Sequence, residues 1–139
     1  MPRFVLLYHE LPPHSGRSSH YDLMLERDGA LRTWALEQEP QPGRETRATA
    51  LADHRLAYLD YEGPVSNERG EVTRCDRGEY TSLDEAAGEW RVRLSGERFR
   101  GVLLLKRAAD TAANSAEEPA QEGAAAHSWV VRLLPESDA

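Results

Sequence analysis

The segment SSHYDLMLERDG (residues 18–29) decides the fold, because it reads as a β-strand that runs into a tight turn. Alternate residues of a strand point to the same side of a sheet. One side of this strand is predicted to face a core and carries Tyr21, Leu23 and Leu25. The opposite side carries His20, Asp22, Met24 and Glu26. The strand therefore presents an imidazole and a carboxylate side by side, away from the predicted core.

Short apolar runs separated by turn residues continue along the chain. The pair Asp28-Gly29 lies between two alternating runs, which indicates a β-hairpin. Residues 46–54 fit either a strand or a short helix. A turn is expected at Arg77-Gly78, and one helical turn at residues 82–89. Further strands are predicted at residues 3–9, 57–63, 71–80, 90–96, 98–107 and 128–134.

This pattern of about eight short strands with little helix predicts a mainly β fold, a small antiparallel β-barrel. The length of 139 residues suits one domain that spans residues 1–139. Residues 108–127 are rich in Ala, Glu and Ser, and we expect them to form a mobile loop.

The formal net charge of the chain is −7, and most of it lies near the C-terminus. Residues 109–139 hold six acidic residues and one arginine, a balance of −5, which leaves −2 for residues 1–108. This distribution excludes nucleic-acid binding by bulk positive charge, but it leaves room for a local phosphate site.

The cysteine content and the apolar runs indicate where the protein works. The single cysteine, Cys75, excludes an internal disulfide. No apolar run approaches the ~18–20 residues that a membrane span needs, and no signal peptide is evident at the N-terminus. We therefore expect a cytoplasmic protein that has no membrane partner.

Four of the five histidines precede residue 55, and they suggest a metal site. Imidazole and carboxylate together suit borderline divalent cations such as Mn²⁺, Zn²⁺ or Fe²⁺. His20 and Asp22 would supply two ligands from one strand face. A third would come from His9, at the end of the first strand, or from His14 in the following loop. On spacing alone, a solvated strand face with chance polar residues remains the alternative.

Several separate motifs, in order along the chain, resemble the 3′-phosphoesterase domain of bacterial DNA ligase D. More narrowly, the chain is similar to the small stand-alone bacterial proteins of this type. The resemblance runs from about residue 3 to residue 107, and Trp129 onward resembles the closing strand. The motifs that carry it are RFVLLYH (3–9), HYD (20–22), DGALRTWA (28–35), DHRLAYLDYEG (53–63) and CDRGEY (75–80).

The resemblance implies a fold, an activity and a set of site residues. Its enzymes are β-barrels that use Mn²⁺ to remove a 3′-terminal ribonucleotide or a 3′-phosphate from a DNA primer strand. For this chain it implies Mn²⁺, with Zn²⁺ as the alternative, and it implies 3′ ends of DNA and DNA repair proteins as partners. The metal ligands would be His20, Asp22 and a further histidine. His54 would contact the phosphate and act as an acid, and Tyr58 would support the site.

The first metal histidine is open between two residues. His9 is preferred because strands hold their position better than loops do, and the Pro12-Pro13 loop reads as an insertion. His14 is the alternative, since it matches the loop length that is usual in the family.

Three positions depart from the family pattern. Met24 stands where the family has Arg, Gln38 where it has Lys, and Ala52 where it has Glu. Losing the Arg and the Lys removes two phosphate contacts of ~1.5–3 kcal/mol each. Arg17 is a candidate substitute for the missing Arg. Two alternatives therefore stand beside the enzyme. One is a catalytically weakened module that binds a metal or a phosphate end, and the other is a phosphoesterase for a small phosphorylated metabolite.

Overall fold

The structure, a computed structural model, describes residues 2–12, 19–65, 70–108 and 128–135. Over these ranges the chain is almost entirely β-strand, with one short 3-10 helix at Leu56–Leu59. The strands are β1 (Arg3–Glu10), β2 (His20–Arg27), β3 (Ala30–Leu36), β4 (Glu45–His54), β5 (Gly63–Pro64), β6 (Glu71–Ala86), β7 (Glu89–Gly96), β8 (Arg100–Arg107) and β9 (Ser128–Pro135).

Eight of these strands form a closed antiparallel ring. Their order is β1-β2-β3-β4-β9-β8-β7-β6, and β6 pairs back onto β1. The short strand β5 pairs with the start of β6 outside the ring. The prediction of a mainly β, antiparallel fold of about eight strands with little helix is therefore confirmed. Residues 46–54, left open between strand and helix, are strand.

The main core fills the inside of the ring. It combines one face of every ring strand, including Leu23 and Leu25 of β2, with Tyr21 packed at its margin. Trp34 contacts Trp90 and Trp129, with ring centroids 6.1 and 5.6 Å away. The predicted inward face of β2 is thus correct.

A second, smaller apolar cluster lies on the other face of β1, β2 and β3. It joins strand residues to the segment that follows β4 and is made of Val5, Leu7, Met24, Leu31, Leu59, Val65 and Val72, with Tyr58 packed against it. We call this the outer cluster. Met24 points away from the main core as predicted, yet it is buried as a member of the outer cluster.

The predicted strand at residues 57–63 is wrong. Residues Leu56–Leu59 form the 3-10 helix instead, and only Gly63 at the end of the range is strand. Leu59 is buried in the outer cluster, and this contact with residues distant in sequence outweighs the local strand pattern.

The predicted turn at Arg77-Gly78 and the helical turn at residues 82–89 are both wrong. One continuous strand, β6, runs from Glu71 to Ala86. It pairs with β1 along its first half and with β7 along its second half. A Cβ atom on Gly78 would overlap the Ser95 carbonyl oxygen, so this glycine permits a close approach of two strands rather than a turn.

Asp76 of β6 fixes the turn between β7 and β8. Its carboxylate is 3% exposed and accepts three backbone hydrogen bonds. The donors are the N–H groups of Glu97, Arg98 and Phe99, at 2.9, 3.0 and 2.8 Å. The buried carboxylate is therefore matched by three backbone donors of the turn, of which the Glu97 N–H also contacts the Arg77 carbonyl oxygen at 3.2 Å.

Two observations bear on the remaining expectations. Of the predicted loop at residues 108–127, only Ala108 lies within the described ranges, so its mobility stays a prediction. In the part of the chain that the structure describes, no helix is long and apolar enough to cross a membrane.

Replacing Asp76 by Ala should lower the free energy of unfolding by about 2–4 kcal/mol, because three partly buried backbone N–H groups lose a shared carboxylate acceptor. Urea denaturation followed by circular dichroism measures this change. The matched control is Asp84→Ala on the same strand, where an exposed carboxylate lies 3.7 Å from Arg91. That control should change the stability by less than about 0.5 kcal/mol. Equal effects of the two substitutions would contradict the role assigned to Asp76.

Candidate metal centre

Three predicted ligands meet where β1 ends and β2 begins. His9 of β1 lies directly opposite His20 of β2, and Asp22 lies two residues further along β2. The imidazole centroids of His9 and His20 are 5.0 Å apart. One ligand atom from each of the three residues lies within 4.8 Å of the others. The strand register therefore converts a loose sequence pattern into a compact cluster of two imidazoles and one carboxylate.

The two histidines bracket the carboxylate. His20 Nε2 lies 3.1 Å from Asp22 Oδ1, and His9 Nδ1 lies 3.5 Å from Asp22 Oδ2. The Asp22 side chain is only 4% exposed, whereas the histidine side chains are 16–17% exposed. The cluster is thus closed on the carboxylate side and open to solvent on the imidazole side.

Asp22 is a charged group that burial alone would disfavour. Burial raises the pKa of Asp22, but the close contacts with His20 and His9 outweigh it, so the pKa is lowered overall. The side chain is therefore a carboxylate at neutral pH, as a metal ligand must be.

The environment of Asp22 fits a divalent cation. Its Oδ1 atom is buried and, among the described residues, has no hydrogen-bond partner of acceptable geometry, despite the nearby His20 nitrogen. A buried carboxylate oxygen without a donor is costly, and a cation would satisfy it. Two imidazoles and one carboxylate are ligands that Mn²⁺ and Zn²⁺ accept, and three protein ligands leave positions for water or substrate.

His54 and Tyr58 form a separate pair on the same face of the sheet. His54 ends β4 opposite Leu31 of the outer cluster, and its ring packs edge-on against Tyr58 at 5.7 Å. Leu31 pairs in turn with Glu26, which lies four residues along β2 from Asp22. The structure therefore brings His54 and Tyr58 together, but outside the cluster of three ligands.

Sequence reasoning missed the contact that orients His54. Its Nδ1 donates a hydrogen bond to the Ala52 carbonyl oxygen at 2.9 Å, which leaves Nε2 as the other ring nitrogen. The sequence singles out Ala52 only because it lacks the Glu side chain of the family pattern. A backbone contact of this kind leaves no trace in residue type, so no sequence signal could have revealed it.

The other predicted positions are placed as follows. Met24 is 1% exposed within the outer cluster, and Gln38 is exposed just after β3. His14 and Arg17 lie outside the described residues. The geometry is consistent with His9 as a ligand, and the choice between His9 and His14 stays a prediction.

Comparison with known proteins adds independent findings. The family model described as the DNA Ligase D 3′-phosphoesterase domain matches residues 12–107. The match includes His14, His20, Asp22, His54 and Tyr58, and it begins after His9.

The curated relatives are much longer proteins. The chain is 34% identical over 112 residues to the multifunctional non-homologous end joining protein LigD of Pseudomonas aeruginosa, a match that covers 73% of this chain and 13% of that protein. The corresponding protein of Mycobacterium bovis is 34% identical over 103 residues, covering 68% and 14%. That of Mycolicibacterium smegmatis is 33% identical over 108 residues, covering 66% and 14%. The chain thus spans 13–14% of the length of these relatives.

Calorimetric titration with Mn²⁺, and separately with Zn²⁺, should give one bound ion per chain. His20→Ala and Asp22→Asn should weaken binding by at least about tenfold, since even changes to the outer shell of a metal site cost 10- to 100-fold. Comparing His9→Ala with His14→Ala would identify the third ligand. The control is His54→Ala, which should leave affinity within about twofold because its ring lies outside the cluster. Unchanged binding by both His20→Ala and Asp22→Asn would contradict the site.

Proposed function

The chain belongs to the DNA ligase D 3′-phosphoesterase domain family, and on that basis we propose that it is a metal-dependent phosphoesterase. Its substrates would be 3′-phosphate or 3′-ribonucleotide ends of a DNA primer strand, in DNA repair. The observation that carries this proposal is the cluster of His9, His20 and Asp22, whose ligand atoms lie within 4.8 Å of one another.

The ligand set suits phosphate chemistry. A divalent cation held by these residues, Mn²⁺ by preference and Zn²⁺ as the alternative, would supply a Lewis acid for a phosphoryl oxygen and acidify a water. The protein contributes two imidazoles and only one negative charge, from Asp22. The loaded site would therefore keep a net positive charge and attract a phosphate, even though the chain as a whole is acidic.

His54 is the candidate for proton transfer. Because Nδ1 donates to the Ala52 carbonyl, Nε2 is the nitrogen left to accept a hydrogen bond or, when protonated, to donate to a phosphate oxygen or the leaving group. The edge-on contact with Tyr58 restricts the imidazole plane. Tyr58 itself packs on the outer cluster, so its ring is held by the same apolar contacts that hold the 3-10 helix.

One observation favours a second candidate, a module that binds a metal or a phosphate end without turnover. Met24 is buried where the family has an Arg, and the exposed Gln38 replaces a Lys. Both substitutions remove positive charge that would hold a phosphate, at ~1.5–3 kcal/mol each. Turnover therefore depends more heavily on the metal centre and His54 than it would with those cations present.

Incubation of a 3′-phosphate primer–template with the wild-type protein and Mn²⁺ should release inorganic phosphate. Asp22→Asn should abolish release because the metal loses its anionic ligand. His54→Gln should slow it by about 10²-fold or more while metal binding persists, the size usual for loss of a general acid or base. The matched control is Asp53→Asn, an exposed neighbour of His54 that lies 3.8 Å from Arg32, and its rate should be unchanged.

The three functional candidates give different results in this assay. Metal binding without phosphate release would support the binding module. Release from small phosphomonoesters, with no advantage for DNA ends, would support a metabolite phosphoesterase. Phosphate release that Asp22→Asn does not affect would contradict the proposed mechanism.

A further inference from the structure

Two tyrosines lie next to the proposed metal ligands, on the opposite face of the same strands. Tyr8 pairs with Tyr21 directly beside the pair of His9 and His20, and these are the last two pairs of the β1–β2 ladder. The tyrosine ring centroids are 4.9 Å apart, with planes inclined at 51°. Neither ring is fully buried. The end of the ring of strands thus presents an aromatic pair one residue away from each proposed ligand.

Further groups complete this end of the ring. The Arg98 guanidinium lies 5.0 Å from the centroid of Phe99 and 3.2 Å from the carboxylate of Glu39. Arg98 is 54% exposed, and it also donates to the Cys75 carbonyl oxygen at 3.2 Å. We call Tyr8, Tyr21, Arg98 and Phe99 the aromatic rim.

Within the rim, Tyr8 and Arg98 act electrostatically on Tyr21. The pKa of Tyr21 is raised, first by burial and then by Glu39, Cys75 and Tyr8, while Arg98 acts in the opposite direction. Arg98 contacts the backbone of Cys75 on β6 and the side chain of Glu39 after β3, while Tyr21, Cys75 and Phe99 all pack against the main core. Apolar residues alone could cover the end of the main core. The presence of partly exposed phenols and a guanidinium there therefore suggests a function beyond packing.

We propose that the aromatic rim is a stacking platform for the nucleobase of the DNA end whose phosphate lies at the metal centre. This inference rests on the proposed function. Aromatic faces and guanidinium planes bind unpaired bases by stacking, and such binding tolerates any base because every base has a π-face. The ladder places the phosphate-binding pair and the aromatic pair at adjacent positions on opposite faces. A nucleotide carries its phosphate and its base in one unit, and it would reach both pairs by passing over the end of the ring, where β1 ends and β2 begins.

The platform would also compensate for the missing cations. Met24 and Gln38 provide no charge for the phosphate, so affinity for a DNA end must come from other contacts. Stacking depends little on salt, whereas phosphate contacts weaken steeply as salt rises. The base-dependent part of the affinity should therefore persist at high ionic strength.

Fluorescence anisotropy tests the inference with two labelled primer–templates whose last primer nucleotide is unpaired and ends in a 3′-phosphonate, which resists hydrolysis. One has a terminal adenosine and the other an abasic analogue, and Mn²⁺ is present so that the metal centre can hold the phosphonate. The wild type should bind the adenosine end about tenfold more tightly than the abasic end. Tyr8→Phe should retain this preference, because the ring remains.

Tyr8→Leu should reduce the preference to about twofold or less, while its affinity for the abasic end equals that of the wild type. That unchanged affinity also shows that the variant is folded. Equal binding of the two ends by the wild type, including no measurable binding of either, would overturn the inference. So would an undiminished preference in Tyr8→Leu.

The phosphate-release assay with Mn²⁺ separates the two proposals. Base-dependent binding without phosphate release would support the stacking platform and contradict the phosphoesterase activity. Phosphate release without base-dependent binding would support the phosphoesterase activity and contradict the stacking platform.

Discussion

The pairing of β1 with both β2 and β6 is the constraint on which the rest of the structure depends. It closes the ring, and so encloses the main core, and it also sets His9 opposite His20. A shift of one residue in this register would send every side chain of the strand to the other face. The histidine would then point into the core, and Tyr8 would take its place beside Asp22. Core formation and assembly of the candidate site are therefore specified by the same hydrogen-bond ladder.

At this end of the ladder, Asp22 is a buried carboxylate whose two oxygens are not both hydrogen-bonded. The two histidines lower its pKa, yet Oδ1 remains without a hydrogen bond among the described residues. Leu7 lies opposite Asp22 in the ladder and Met24 lies two residues along the same face, and both are buried apolar residues. A protein that held no ligand here would gain stability from a neutral side chain of the same size. Keeping a carboxylate at this position is consistent with a site selected for binding, and binding would in turn stabilise the fold.

Local alternation predicted much of the fold and of the site, and contacts between distant residues account for what it missed. The two faces of β2 follow from its sequence, as do His20 and Asp22 as neighbours on one of them. A glycine such as Gly78 fits either a turn or a close approach of strands, and only the pairing partner decides between them. The 3-10 helix forms because Leu59 packs into the outer cluster, whose other members lie on β1, β2, β3 and β6 and just after β5. The outer cluster also buries Met24, although the alternation of residues along β2 predicted that it lies on a polar face.

The burial of Met24 connects the departure from the family pattern with the position of His54. A guanidinium at this position would have to be taken out of water beneath Leu59 and Leu31, at a cost that only a bound phosphate would offset. Methionine instead adds to the apolar surface on which Leu59 and Tyr58 pack. Tyr58 in turn contacts the ring of His54. If the resemblance places an arginine here, methionine would exchange a phosphate contact for firmer placement of His54, and under the proposed function the positive charge for a phosphate would come from the metal centre and from His54.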